Sequence, residues 1–134
     1  MNDAVNQPAH YTAHPSGVEC RQITGLLGGN ISNIVKYVWR YDLKGKPIED
    51  LKKALQFVAF EMADFEHLGG QAIDKRVRLG IVRLGDASKS EENIFKRRVF
   101  ERIEAFLVMN TTSSLNQIVA IITKQINELQ NERN

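Results

Sequence analysis

The chain has 134 residues, of which 43% are hydrophobic and 25% are charged, and its formal net charge is +2 at pH 7. These values are typical of a soluble globular protein with one core, with no strong signal for nucleic-acid binding and none for a membrane-spanning segment. A single cysteine, Cys20, excludes an intrachain disulfide, and the polar N-terminus does not resemble a secretory signal, so we expect a cytoplasmic protein.

The first predicted elements are an extended arm and a short helix. Residues 1–17 contain two prolines and Gly17 and show no helical period, which favours an irregular N-terminal arm. Apolar residues at helical spacing over residues 18–27 predict a short helix that ends at the following pair of glycines. Cys20 lies in this helix, where we expect a buried structural thiol.

Two longer helices are predicted next. Asn30 or Ser32 is a suitable N-cap for a helix that runs to about Tyr41, because these side chains can accept from its free N–H groups. Pro47 is well placed as the first residue of the second helix, where its fixed φ and missing N–H are harmless, and Gly69 ends that helix. Each helix has an apolar stripe: Ile31, Ile34, Val35, Val38 and Trp39 on the first, and Ile48, Leu51, Leu55, Val58, Met62 and Phe65 on the second.

The C-terminal half begins with a segment whose secondary structure stays open. Residues 71–90 show a short alternation of arginine and apolar residues, which is compatible with a strand pair or with a mobile basic connector. Ser90 is a suitable cap for a helix that ends near Met109, and Thr112 or Ser113 is one for the last helix. The expected apolar faces are Ile94, Phe95, Val99, Ile103, Phe106 and Leu107, and Leu115, Ile118, Val119, Ile122, Ile126 and Leu129.

Two long apolar seams, one after Pro47 and one in the last helix, predict a mainly α protein. We expect a compact bundle of four to five helices in a single domain over residues 1–134. Because these seams exceed what a small monomer readily buries, we expect a homo-oligomer, with residues 71–134 as the candidate region for self-association. A P-loop fold is excluded, since no G-x-x-x-x-G-K-[ST] motif occurs and Gly45-Lys46 lacks the upstream glycine.

Residues 33–54 concentrate cationic and aromatic side chains. Lys36 and Arg40 lie one turn apart on the helix face opposite the apolar stripe, where they repel each other unless an anion binds. The start of the next helix also favours anions, through its free N–H groups and its dipole. We therefore predict a phosphate site with Lys36 and Arg40 as catalytic cations. Its candidate residues are Asn33, Lys36, Tyr37, Arg40, Lys44, Lys46, Lys52 and Lys53.

Several neighbouring residues leave alternatives open. Glu49 and Asp50 either compensate the helix dipole and pair with lysines, or supply ligands to Mg²⁺ beside the phosphate. Trp39 can stack on a base, but it falls on the apolar stripe and is expected in the core. In the arm, His10-Tyr11 either closes over a ligand or only pins the arm. The C-terminal arginines either form a solvated face or bridge subunits: Arg76, Arg78, Arg83, Arg97, Arg98 and Arg102.

A set of residues in the first half of the chain forms a specific pattern: His10-Tyr11, Gly17-Val18-Glu19-Cys20, residues 33–41, Lys44 and Glu49-Asp50-Leu51-Lys52-Lys53-Ala54. This pattern resembles a family of small bacteriophage proteins, long described as a domain of unknown function, which includes SaV-like proteins and the unusual nucleotide kinase of T7-like phages. The resemblance implies a phage protein in the cytoplasm of an infected host cell. It further implies transfer of a phosphoryl group from ATP to dTMP or dGMP, with Mg²⁺, by a large homo-oligomer.

Two other functions remain open. Glu61-x-x-Asp64 supplies half of the pattern of the all-helical nucleotide pyrophosphatases, in which carboxylates one turn apart share Mg²⁺, but the Glu-Glu-x-x-Glu half is missing. Alternatively, the protein is a module without catalysis that binds a nucleotide or engages a host protein, which the SaV-like relatives suggest. Release of pyrophosphate favours the first function, and nucleotide binding without turnover favours the second.

Overall fold

The computed structural model describes residues 14–70 and 72–133, and within these ranges it consists of six helices without a strand. The helices are α1 (Cys20–Thr24), α2 (Gly29–Arg40), α3 (Pro47–Leu68), α4 (Lys75–Ser90), α5 (Ile94–Met109) and α6 (Thr112–Arg133). The predicted mainly α fold is confirmed. A P-loop fold needs a strand before its phosphate loop, and the described ranges contain none.

The six helices pack in a closed ring. Contacts run from α1 to α2, α3, α6, α5 and α4 and back to α1, and α2 also contacts α5 across the middle. One hydrophobic cluster fills the centre, with members on every helix: Ile23, Ile34, Val35, Val38, Trp39, Leu51, Val58, Leu84, Ala87, Phe100, Ile103, Ile118 and Ile122. The two predicted seams, on α3 and α6, pack against each other within the chain. Self-association stays a prediction.

The start of α2 differs from the prediction. Gly28 is its N-cap, and the two predicted caps, Asn30 and Ser32, lie inside the helix. The Ser32 hydroxyl instead donates to the main-chain carbonyls of Thr24 (2.7 Å) and Leu27 (3.0 Å), which ties α2 to the end of α1. Asn30 reaches across to α3. The predicted caps are therefore wrong, because tertiary partners engage both side chains. By contrast, Pro47 begins α3 and Gly69 follows its last residue, as predicted.

Most of the segment left open, Lys75–Ser90, forms a regular helix, so both a strand pair and a mobile connector are wrong for this part of it. Asp74 caps α4 by accepting from the main-chain N–H of Val77, at 2.9 Å. The buried face of α4 includes the small residues Gly80, Gly85, Ala87 and Ser88, and this is why an apolar stripe is hard to see in the sequence. A Cβ added at Gly80 would lie 2.8 Å from Leu27, so this glycine lets α4 approach α1 closely.

The start and face of α5 also need correction. Ser90 is the last residue of α4, and the cap of α5 is Asn93, whose side chain accepts from the main-chain N–H of Lys96 at 3.0 Å. Ile94, expected on the apolar face, is 74% exposed, whereas Phe100 is fully buried. The rest of the predicted face is confirmed, since Val99, Ile103, Phe106 and Leu107 are buried and Phe95 packs against the core. None of the described helices combines the length and the apolar character that a membrane crossing requires.

Candidate functional site

The antiparallel neighbours α2 and α3 bring three cations to one aromatic ring. Around the centroid of the Tyr37 ring lie the Arg40 guanidinium carbon at 4.7 Å, the Lys53 Nζ at 5.6 Å and the Lys36 Nζ at 5.9 Å. Tyr37 is half-buried and stacks on Phe57 of α3, with ring centroids 6.0 Å apart and an interplanar angle of 16°. We call Lys36, Tyr37, Arg40 and Lys53 the Tyr37 cluster.

Helical spacing explains how the Tyr37 cluster forms. Lys36 and Arg40 are one turn apart on α2 and flank Tyr37, so all three side chains share the side of α2 that meets α3. On α3, Lys53 and Phe57 are four residues apart, which places both next to the Tyr37 ring. The cluster therefore depends on the packing of two helices and not on one motif.

Arg40 is the most constrained cation of the cluster. Its side chain is 14% exposed, and its Nη2 lies 3.7 Å from Oδ1 of Asp50, whose side chain is 8% exposed. Asp50 thus fixes one side of the Arg40 guanidinium while the Tyr37 ring contacts it as well. Of the two lysines, Lys36 is half-buried and Lys53 is exposed. The cluster thus joins one cation that is paired with a buried carboxylate to two lysines.

The two acids proposed as magnesium ligands have different surroundings. Asp50 is buried against Arg40, whereas the Glu49 side chain is 66% exposed, with an oxygen 4.0 Å from Lys46 Nζ. Glu49 is therefore the carboxylate whose oxygens face solvent at the start of α3. Across residues 14–70 and 72–133, no group of three or more His, Cys, Asp or Glu side chains is arranged to hold a metal ion.

The other predicted site residues lie around this centre. The Asn33 amide donates to the main-chain carbonyl of Gly29 within α2, at 2.9 Å. Lys44 and Lys52 are exposed, and the ring contacts of Tyr37 in the described structure come from Lys53 and not from them. His10 and Tyr11 lie outside the described residues. Their closure over a ligand stays a prediction. Of the predicted residues, the structure brings together Lys36, Tyr37, Arg40 and Lys53.

The predicted core position of Trp39 is confirmed, since only 3% of the residue is exposed. Its main-chain carbonyl accepts from Nζ of Lys96 at 2.7 Å, and the same Nζ lies 2.7 Å from Oδ1 of Asp42. Lys96 is 7% exposed and also lies over the Tyr41 ring, at 5.5 Å. A side chain of α5 thereby holds the end of α2, directly beside Arg40. Sequence reasoning missed Lys96 because nothing in its own neighbourhood marks it as buried.

A second polar link joins the start of the described chain to the turn between α4 and α5. His14 Nε2 lies 3.2 Å from Oε1 of Glu91, and His14 Nδ1 accepts from the main-chain N–H of Ser16 at 3.1 Å. Burial alone would raise the pKa of Glu91, but hydrogen bonds from His14 and the Asn93 main chain outweigh it, so the pKa of this carboxyl lies below its ordinary value. This contact joins the first described residue to the turn between α4 and α5.

The pyrophosphatase-like pair Glu61 and Asp64 lines a different feature, a cleft of about 310 Å³ between the start of α2 and the end of α3. The Asn30 amide donates to both carboxylates, at 3.3 Å to Glu61 and 2.8 Å to Asp64. Burial raises the pKa of Glu61, the Asn30 hydrogen bond opposes this shift, and the charge of Asp64 adds to it. These carboxylates are thus bound to an amide and lie away from the Tyr37 cluster.

Comparison with known proteins gives a family match. Residues 5–59 match the model of a family described as a protein of unknown function, DUF3310. This segment includes every member of the Tyr37 cluster, and also Asp50 and Phe57, whereas α4, α5 and α6 lie beyond it. No curated protein and no solved structure is significantly similar to the chain.

Proposed function

We propose that this protein is a nucleotide kinase, which transfers the γ-phosphoryl group of ATP to a deoxynucleoside monophosphate such as dTMP or dGMP. The Tyr37 cluster is the phosphate site of this kinase. The observation that carries the proposal is the convergence of three cations from two helices on one half-buried ring, at 4.7 to 5.9 Å. Such a convergence supports the proposal, because a transferring phosphoryl group needs positive charge around it.

The energetics favour a site that is organised before its ligand arrives. A cation over an aromatic ring gains about 0.5–1 kcal/mol at exposed sites. Like charges one turn apart on a helix cost about 0.2–0.5 kcal/mol. The ring contacts therefore hold the cations in place despite their repulsion, and a bound phosphate converts that repulsion into attraction through charge-assisted hydrogen bonds. This is the behaviour expected of an anion site.

Phosphoryl transfer places modest chemical demands on the protein. It needs cations on the moving group and alignment of donor and acceptor, with little covalent participation. Arg40, fixed by Asp50, suits the orienting role because its planar fork can bind two phosphate oxygens. Lys36 and Lys53 add two positive charges, which suit neutralisation of the charge that develops during transfer. These three side chains replace the phosphate loop of the common kinases.

In the proposed reaction, Mg²⁺ binds together with the nucleotide. Mg²⁺ usually binds one or two protein carboxylates together with phosphate oxygens and waters. Asp50 is engaged by Arg40, so the exposed Glu49 is the candidate protein ligand, and one carboxylate is compatible with that coordination habit. When bound, the ion neutralises charge on the phosphates. We assign Asp50 to the positioning of Arg40 instead.

The choice of a nucleotide over other phosphates rests on the resemblance described above. The residues that carry it include Lys36, Tyr37, Arg40 and Lys53, which are the same residues that meet in the Tyr37 cluster. The match of residues 5–59 to a family of unknown function covers them too. A phage origin, action in the host cytoplasm and assembly as a homo-oligomer belong to the same proposal.

The test is a phosphoryl-transfer assay with ATP, Mg²⁺ and each deoxynucleoside monophosphate, in which mono-, di- and triphosphates are resolved. We expect dTDP or dGDP from the wild type and a loss of at least tenfold in kcat/KM for Lys36→Ala, Lys53→Ala and Arg40→Lys. Lys124→Ala is the matched control, since Lys124 is exposed on α6, outside the cluster. The melting temperature of each variant separates loss of the site from loss of the fold.

Three results would contradict this proposal. Full activity of Arg40→Lys and Lys36→Ala would leave the kinase standing but overturn the Tyr37 cluster as its phosphate site. Pyrophosphate released from a nucleoside triphosphate would instead favour the pyrophosphatase, through Glu61 and Asp64. Nucleotide binding without any product would leave a binding module, and the search would then turn to host proteins.

A further inference from the structure

We propose that Phe57 and Phe60, on α3, form a stacking ledge for the base of the nucleotide whose phosphates bind at the Tyr37 cluster. This inference rests on the proposed function, and it assigns base stacking to two rings that the sequence patterns did not single out. Phe60 is 45% exposed, although most aromatic side chains of the described structure are buried or half-buried. An exposed ring beside clustered cations offers a base its π face.

The ledge continues directly from the phosphate site. The Tyr37 ring stacks on Phe57, and Phe57 in turn meets Phe60 edge to face, with centroids 5.6 Å apart and an interplanar angle of 79°. The three rings thus form a row that begins among the cations and ends at solvent. Tyr37 and Phe57 are half-buried and contact other rings, so Phe60 is the member with most surface left for a ligand.

Spacing along α3 places the two ends of the row at a useful separation. Lys53, Phe57 and Phe60 follow one another at intervals of four and three residues, which keeps them on one face of the helix. Seven residues of helix correspond to about 10 Å along its axis. A nucleoside triphosphate can span that separation, with its phosphates near Lys53 and its base at Phe60.

The surroundings of Phe60 favour a base over a protein partner. Its neighbours one turn away on the exposed surface are Gln56, Ala63 and Asp64, and all three are exposed. Apart from Phe57, the side chains next to Phe60 on this surface are therefore small or polar, whereas a docking face for a protein needs a continuous apolar patch. The positive charge at the other end of the row complements a phosphate and not an apolar surface.

The experiment compares two ligands that share phosphates but differ in the base. One is 2-aminopurine deoxyriboside triphosphate, whose fluorescence is quenched when the base stacks, and the other is inorganic tripolyphosphate. We expect Phe60→Leu to weaken binding of the nucleotide about fivefold or more and to abolish most of the quenching. Binding of tripolyphosphate is expected to stay within about twofold of the wild type, because no base is lost.

Three further variants serve as controls for this comparison. Phe60→Tyr keeps an aromatic ring and is expected to retain both affinity and quenching. Ile94→Ala alters a side chain that is 74% exposed on α5, outside the site, and is expected to change nothing. Lys53→Ala is expected to weaken both ligands, because it removes a phosphate contact and leaves the ledge in place.

The outcomes separate this inference from the proposed function. Equal affinity of Phe60→Leu and wild type for the nucleotide, with tripolyphosphate still bound, would overturn the ledge and leave the phosphate site standing. Binding of neither ligand to the wild type would overturn both. Affinity that rises steadily with the length of an oligothymidylate would assign the row to a single strand and so overturn a mononucleotide subsite.

Discussion

Lys96 donates a hydrogen bond from its Nζ to the main-chain carbonyl of Trp39, at 2.7 Å. Trp39 lies in the last turn of α2, where main-chain carbonyls have no partner within the helix. A lysine near a helix C-terminus satisfies such a carbonyl and complements the helix dipole. Lys96 lies beyond the residues that match the family, and α2 ends at Arg40. This bond therefore joins the C-terminal half of the chain to the residue next to Arg40 of the Tyr37 cluster.

Replacing Lys96 should therefore destabilise the fold. We expect Lys96→Met to lower the free energy of unfolding by about 2 kcal/mol, because a buried carbonyl loses a charge-assisted hydrogen bond. The contact with Asp42 adds less, since that carboxylate is 39% exposed. Urea unfolding measures the loss, with Lys124→Met on the exposed face of α6 as control. Equal stability of the two variants would contradict this role.

Phe100 links α5 to α2 at the centre of the ring of helices. It is fully buried, and its ring lies 5.6 Å from that of Trp39. We expect Phe100→Ala to cost about 3–5 kcal/mol, as large truncations in packed cores do. Ile94→Ala, at an exposed position six residues earlier, should stay within about 0.5 kcal/mol. Denaturant midpoints that do not differ between these variants would argue against the packing described.

Cys20 should make stability fall at high pH. Burial raises the pKa of its thiol from 9.0 to about 12, although the charges of Lys36, Arg40 and Lys96 oppose the shift. Above pH 9 the unfolded thiol ionises while the folded thiol stays protonated, so unfolding is favoured there. At pH 10 the expected loss is about 1.4 kcal/mol. Cys20→Ala should lack this slope, and unfolding of both proteins between pH 8 and 10 measures the difference.

Glu91 should contribute to acid denaturation. Its pKa is below the ordinary 4.5 in the folded state, since His14 and the Asn93 main chain outweigh burial. The stabilisation is complete above the unfolded pKa, and it is lost as the pH falls below about 4.5 through the folded pKa. The difference in unfolding free energy between pH 7 and pH 3 should thus be smaller for Glu91→Gln than for the wild type. The exposed carboxylate variant Glu66→Gln is the control, and an unchanged difference in Glu91→Gln would contradict the prediction.

Periodicity in the sequence predicts much of this fold, and its failures have physical causes. The stripes of α2, α3 and α6 contain large aliphatic residues at helical spacing, and these helices form where the stripes lie. The buried face of α4 depends on Gly80, Gly85 and Ala87, which carry little apolar signal. The N-caps are harder to predict than the helices, because the side chains of Ser32 and Asn30 form hydrogen bonds to other elements instead.

The candidate site, like the fold, is predicted only in part by the sequence. Local spacing places Lys36, Tyr37 and Arg40 on one face of α2, because residues three to four apart on a helix are neighbours whatever the rest of the chain does. The sequence does not reveal that Lys53, and not Lys52, meets the Tyr37 ring. Nor does it reveal that Asp50 is buried against Arg40 and that Lys96 holds the end of α2. These relationships join residues on different helices, so only the tertiary packing of α2 against α3 and α5 decides them.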